Sequence, residues 1–185
     1  MNKALIISAV LSISLLAACS DNNKKKVEVA ALPVTEGQQT NINNDASNVS
    51  SSGSVLPSFT VQDVNGKLIN LQSFKGKKVF VNLWASWCPP CRQEMPSIKK
   101  LFESVDSNKA LFVMLSLDDD FEKSKEFILT QKLQLPIYFP AEKIPELFNV
   151  QGIPSTFIFN ENGDLMQRID GGDNYDSEKY RNMLK

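Results

Sequence analysis

The chain has 185 residues, room for one ordinary domain with extensions rather than for two full domains. It is 42% hydrophobic, enough for a core, and its 20 basic and 21 acidic residues leave a formal net charge of −1, without the basic surplus that nucleic-acid binding by counterion displacement needs. No histidine is present, which excludes His-ligated metal sites, Ser-His-Asp and Cys-His catalysis and the usual neutral-pH proton shuttle; the three cysteines are too few for a disulfide-stapled scaffold.

Met1-Asn2-Lys3 is a short positive start, and residues 5–18 form an apolar run broken only by serines. The run falls short of the roughly 20 apolar residues of a permanent span and fits the hydrophobic region of a secretory signal. It ends in Leu16-Ala17-Ala18-Cys19, which resembles the lipobox of bacterial lipoproteins, where the Cys becomes the lipidated first residue of the mature chain. The resemblance implies a lipoprotein signal peptide over residues 1–18 and at least two acyl chains on Cys19, enough for stable anchoring. It implies a place on the periplasmic side of a bacterial cell envelope. An Asp at 21 rather than directly after the Cys leans the expectation toward the outer membrane. The alternative is an ordinary signal peptide cleaved near Ala18 that leaves Cys19 an unused thiol; lipidation also accounts for the odd number of cysteines.

Residues 20–54 are rich in Asn, Ser, Gln, Thr and Lys, lack aromatics and sustain no hydrophobic period. They cannot bury enough surface to offset chain entropy, so residues 19–54 are expected to be the lipidated Cys and a disordered tether reaching about 30–35 Å. Residues 55–185 read as one folded domain. Phe59-Thr60-Val61 and Leu68-Ile69-Asn70 flank Asn65-Gly66, a hairpin signal because both turn residues tolerate positive φ. Val79 to Trp84 is a buried-strand run, and residues 88–105 have helical spacing with Met95, Ile98, Leu101, Phe102 and Val105 on one side. A second apolar strand spans residues 110–117. A helix over 121–132 turns Phe121, Phe127, Ile128 and Leu129 partly inward. A short extended piece at 135–139 precedes a short helix at 142–149. Residues 155–160 and 165–169 flank Glu161-Asn162-Gly163-Asp164 as another hairpin, and residues 176–185 close the chain as a helix. Strands alternating with helices and closing on a hairpin predict an α/β sandwich with a mixed sheet.

The sharpest feature is Trp84-Ala85-Ser86-Trp87-Cys88-Pro89-Pro90-Cys91-Arg92. A Cys-x-x-Cys pair is half a zinc site, but no further Cys or His downstream supplies the other ligands. Here it sits where a buried strand passes into a helix, which is the redox context of such a pair. Cys88 at the helix N-terminus faces free N–H groups and the helix dipole, which favour its thiolate. Cys91 lies one turn on, on the same face, set deeper and suited to resolve a mixed disulfide. Pro89 and Pro90 fall in the first turn, where no intrahelical N–H is needed. A merely stabilising disulfide is the alternative, but so short a loop removes little entropy from the unfolded chain. Pro96 is expected to kink the helix. Trp84 is expected in the core. Asp118-Asp119-Asp120 at a strand end reads as cap and loop, and no metal site is expected.

These residues, with Gly76-Lys77-Lys78, Glu94-Met95-Pro96, Val150 to Phe157 and Gly171, resemble the TlpA/ResA-like, membrane-tethered thiol-disulfide oxidoreductases of the thioredoxin superfamily. The resemblance implies a thioredoxin-like three-layer sandwich with a mixed central sheet and an N-terminal β-hairpin. It implies redox catalysis by Cys88 and Cys91 without a cofactor. It implies a cis Ile153–Pro154 bond facing the pair, so that Trp87, Pro89, Pro90, Ile153 and Pro154 form the substrate-binding rim. Asn82 stands where thioredoxins proper carry a buried Asp, which gives weight to Glu94 as the carboxylate that does acid–base work on the buried thiol; a solvated helix glutamate is the alternative. The expected partners are an exported thiol or disulfide protein such as apocytochrome c and a membrane thiol-relay electron donor, with the chain itself a monomer. A reductase is expected, from the Pro before Cys91 and the lack of a His to stabilise the reduced form. An oxidase, a peroxidase of the peroxiredoxin branch and a tethered copper-handling protein of the Sco type are the rivals; the last needs a distant His that this chain lacks.

Overall fold

The computed structural model describes residues 54–185. The signal segment, Cys19 and the tether up to residue 53 lie outside the described residues.

The chain order is β1 (Thr60–Asp63), β2 (Leu68–Asn70), β3 (Lys78–Trp84), α1 (Pro89–Ser104), β4 (Ala110–Ser116), α2 (Phe121–Thr130), β5 (Ile137–Pro140), β6 (Ser155–Phe159), β7 (Leu165–Asp170) and α3 (Glu178–Leu184). The expected N-terminal hairpin is β1–β2, with Val61 opposite Ile69. Its turn closes because Gly66 takes φ +83° and the Asp63 carboxylate accepts the N–H groups of Asn65 and Lys67. The second hairpin, β6–β7, carries Gly163 at φ +87° in its turn.

One seven-stranded mixed sheet runs in the order β2-β1-β5-β4-β3-β6-β7. β3, β4 and β5 are parallel neighbours; β1 joins β5 and β6 joins β3 antiparallel. The units β3–α1–β4 and β4–α2–β5 are successive parallel crossovers that step the same way across the sheet. Right-handed crossovers of one sense put their helices on one face. Met95, Ile98 and Leu101 of α1, Phe121 and Ile128 of α2, and Tyr180 and Leu184 of α3 accordingly share one core with Phe80, Trp84, Phe112 and Met114. The opposite face, formed by Val79, Val81, Leu83, Val113 and Leu115, is covered by Leu56, Phe59, Leu71 and Phe148. The third layer of the sandwich is thus the entering chain and two 3-10 turns, Leu71–Phe74 and Glu146–Phe148.

Three local expectations change. The short helix at 142–149 is only the 3-10 turn Glu146–Phe148, since Pro145 holds an extended backbone at its start. α2 stops at Thr130, and Lys132 and Gln134 follow at positive φ. Leu129 points to solvent at 76% exposure, because Phe121, Ser124 and Ile128 already occupy the inward stripe of this helix. The helix expected over 88–105 is α1, with Pro96 inside it, and Phe102 and Val105 at its end pack half-buried against the same core.

Strand alternation places the site. On β3, Val79, Val81 and Leu83 face one layer, so Phe80, Asn82 and Trp84 face the helices. Asn82 therefore enters the core beneath α1 as a fully buried amide.

Candidate active site

β3 ends at Trp84 and α1 begins five residues later, so the Cys pair sits on the strand-to-helix corner. Cys88 is the N-cap residue, with extended backbone, and Pro89 and Pro90 are the first helical residues. The Cys88 Sγ lies 3.3 Å from the Cys91 N–H, the geometry in which a helix terminus stabilises a sulfur anion. Cys88 and Cys91 are joined by a disulfide, with Cα atoms 5.3 Å apart. Both are buried, at 3% and 0% exposure, so access to Cys88 in the oxidised state is a narrow opening rather than a displayed sulfur.

The Ile153–Pro154 bond is cis. It brings the Ile153 carbonyl oxygen to 3.7 Å from the Cys88 Sγ. Pro154 is buried, Ile153 half-buried, and Pro89 and Pro90 are exposed. Trp87 is 63% exposed, while Trp84 is fully buried as expected. A depression of about 370 Å³ continues from Ile153 and Pro154 along Gly152, Arg168 and Gly171. Of the residues expected on the substrate rim, Ile153 and Pro154 line this depression, Pro89 and Pro90 line separate ones beside α1, and Trp87 directly precedes Cys88 in the chain.

Glu94 is not a solvated helix residue; it is 5% exposed. One turn beyond Cys91, it turns inward beneath the helix, where its Oε1 accepts from the Asn82 Nδ2 at 2.8 Å and its Oε2 from the Asp173 N–H at 3.3 Å. Burial pushes its carboxyl up to about 7, against the lowering effect of those two hydrogen bonds, and the nearby Asp173 carboxylate adds to the rise. A shallow cleft of about 490 Å³ between Pro90, Gln93, Gly172 and Asn174 reaches it from solvent.

Other members of the site lie far apart in sequence. The second N–H of Asn82 goes to Thr156 Oγ1 at 2.9 Å, and Thr156 meets the Tyr175 hydroxyl at 2.6 Å. Asp118 is 4% exposed and accepts from the Ser86 N–H and from the hydroxyls of Ser86, Ser116 and Ser124, at 2.6–3.2 Å. This tethers the loop before Cys88 to the end of β4 and the first turn of α2. Of the aspartate run, Asp120 caps α2 and Asp119 pairs with Lys123, as a cap and loop should, but Asp118 is a buried clamp. The partners of Glu94 and Asp118 carry no local signature. Among the described residues no group of three or more His, Cys, Asp or Glu side chains could hold a metal ion.

The model of the Redoxin family matches residues 51–184. The thiol-disulfide oxidoreductase ResA of Bacillus anthracis is 32% identical over 120 residues, covering 64% of this chain and 69% of that protein. The thioredoxin-like protein YneN of Bacillus subtilis is 38% identical over 113 residues, covering 60% and 66%. Among solved structures, a thiol:disulfide interchange protein from a Bacteroides species superposes with a TM-score of 0.61 at 27% identity, over 70% of this chain and 90% of that one. The thioredoxin domain of a Bacteroides vulgatus thiol-disulfide oxidoreductase gives 0.64 at 24%, over 72% and 97%, a likeness of fold alone. A disulfide on a strand-to-helix corner, opposed by a cis-proline and backed by a buried glutamate, together with these relationships, shows that the chain belongs to the Redoxin family, as a TlpA/ResA-like thiol-disulfide oxidoreductase of the thioredoxin superfamily.

Proposed function

We propose that the chain works outside the cytoplasm, anchored through lipid on Cys19, as a reductase of disulfides in exported proteins. The observation that carries the chemistry is the Cys88–Cys91 disulfide at the start of α1, with the Ile153 carbonyl 3.7 Å from the Cys88 sulfur and Glu94 buried one turn behind Cys91. A membrane thiol-relay donor delivers two electrons and two protons, opening the bridge to a dithiol. The Cys88 thiolate, favoured by the helix N-terminus, attacks one sulfur of the client disulfide; a mixed disulfide forms and the other client sulfur leaves as a thiolate. Glu94, as carboxylate, takes the proton of Cys91, whose sulfur then attacks Cys88. The client's second sulfur leaves and the Cys88–Cys91 bridge is restored. A carboxyl group near 7 is matched to this transfer at neutral pH. Trp87, Pro89, Pro90, Ile153 and Pro154 hold the client strand beside the opening.

The direction follows from Pro90 directly before Cys91 and from the absence of a histidine that would favour the reduced form. The lipid anchor follows from the lipobox pattern before Cys19, and the clients are those that an exported thiol reductase meets, apocytochrome c among them. Cys91→Ser in the native host tests the whole reading, because it strands client proteins on Cys88. Recovery of disulfide-linked exported proteins, absent when Cys88 is also replaced, is the expected outcome. A reduction potential near the oxidising extreme of about −120 mV makes the protein an oxidase instead.

A further inference from the structure

We propose that Thr156 and Tyr175 are positioning residues for the redox reaction: behind Asn82 they form a buried hydrogen-bond chain that keeps the N–H side of its amide turned toward Glu94. The inference rests on the reading of Glu94 as the proton acceptor for Cys91.

Asn82 and Thr156 are Cα partners in the antiparallel β3–β6 register, and both are fully buried. The Asn82 Nδ2 donates to Glu94 Oε1 at 2.8 Å and to Thr156 Oγ1 at 2.9 Å, while its Oδ1 is buried without a partner. A side-chain amide has two orientations of nearly equal shape, one offering donors and the other an acceptor. An ionised Glu94 selects the donor orientation; a protonated Glu94 is served equally by the other, since its O–H can donate to Oδ1. Thr156 does not decide the matter by itself, because a hydroxyl donates or accepts. The Tyr175 hydroxyl lies 2.6 Å from Thr156 Oγ1, and either atom could be the donor. In this chain of hydrogen bonds the Thr156 proton goes to Tyr175, because the Asn82 amide donates to Thr156 and offers that proton no acceptor. The polarity then runs one way, from Asn82 through Thr156 to Tyr175.

Tyr175 is held for this purpose from two sides. Its ring is fully buried against Phe80 and Tyr180, at centroid distances of 5.2 and 4.8 Å. Its backbone N–H donates to the Ser97 hydroxyl on α1. Two residues earlier, the Asp173 N–H grips Glu94 directly. The titratable groups facing Glu94 are Asp173, Tyr175 and Tyr180 from the segment after β7 and from α3; on its own helix stands the Cys88–Cys91 disulfide, which does not titrate, and β3 contributes the neutral Asn82. Without the Tyr175 hydroxyl, the Thr156 proton is free to turn to Asn82. The amide then reverses, Oδ1 faces Glu94, and the protonated acid is favoured.

The test follows the Glu94 carboxyl directly, by its NMR titration in the oxidised protein, and the pH profile of insulin-disulfide reduction by the reduced protein. Tyr175→Phe, which keeps the ring, and Thr156→Val are expected to move both midpoints upward by about 0.5–1 unit. Reduction at the foot of the profile then falls about three- to tenfold, and Thr156→Ser restores it. In a Glu94→Gln background neither variant has a further effect on the profile. Midpoints unmoved in folded Tyr175→Phe, or an effect of equal size in Glu94→Gln, overturn the chain. A profile that Glu94→Gln itself leaves intact overturns instead the role of Glu94 as the proton acceptor.

Discussion

At the residue scale, environment divides the labour among side chains that look alike in sequence. Trp84 and Trp87 are three positions apart, yet one is sealed in the core and the other is 63% exposed beside the opening to Cys88. An exposed indole at the mouth of a buried disulfide gains contact area only when a client covers it. Trp87→Ala is therefore expected to slow the reduction of a protein disulfide about tenfold, the effect of losing an aromatic anchor. A small disulfide, which never reaches the rim, should react at nearly the unaltered rate. Stopped-flow rates with a protein and a small-molecule disulfide measure both. The placement of the cysteine pair and the prolines between them was legible in the sequence because their geometry is local, one turn of helix. Spacing left Glu94 open between a buried and a solvated carboxylate, and its burial depends on Asn82 and Asp173 from other elements. Asn82 could be located but its bonds could not, since Thr156 is 74 residues away and is brought opposite by strand register alone. Tyr175 and Asp173 had no pattern to announce them; they reach the site only because the chain after β7 folds back over α1.

At the scale of elements, turns and periodicities were readable wherever the decisive interaction lies inside the element. Both hairpins follow from short turns with glycine at positive φ. The long helix α1 follows from its apolar spacing and its N-terminal prolines. Leu129 misled because periodicity gives a stripe but not its edges, and the sheet beneath α2 accepts only part of it. The loop before Cys88 is likewise held by a partner outside itself. Asp118 receives three hydroxyls and one backbone N–H in a buried pocket shared by β4, α2 and that loop. Asp118→Ala leaves buried hydroxyls unpaired and is expected to destabilise the oxidised protein by about 1–3 kcal/mol, measured by urea unfolding. An unchanged midpoint would show that the serines find other partners.

At the scale of the molecule, the α/β class and the mixed sheet were legible from the alternation of elements, whereas the sidedness of the helices was not. That depends on the handedness and direction of two crossovers, which no residue pattern encodes. One whole-molecule property can be derived from a single buried group. The Glu94 carboxyl is raised from 4.5 to about 7, so the folded state holds this proton more tightly than the unfolded chain does. The stabilisation is full below pH 4.5 and is lost as pH rises through 7, a difference of about 3 kcal/mol for a shift of this size. With no histidine in the chain, no other side chain of ordinary pKa titrates between pH 5 and 8. Urea unfolding of the oxidised protein should thus show stability falling over that window, and Glu94→Gln should flatten the slope. A slope that persists in the variant would assign it elsewhere.

The back of the sheet has a further consequence. Leu56 and Phe59 cover the face that carries no α-helix, and the chain reaches them by pairing Val55 with Asp164, with Leu56 and Leu165 exchanging backbone bonds with Gly163 and Ser54. Any pull on the residues before 54 is delivered first to these few bonds at the β6–β7 corner, and β6 begins at the residue after the cis-proline. Load on this corner and movement at Ile153–Pro154 thus bear on the two ends of the same strand.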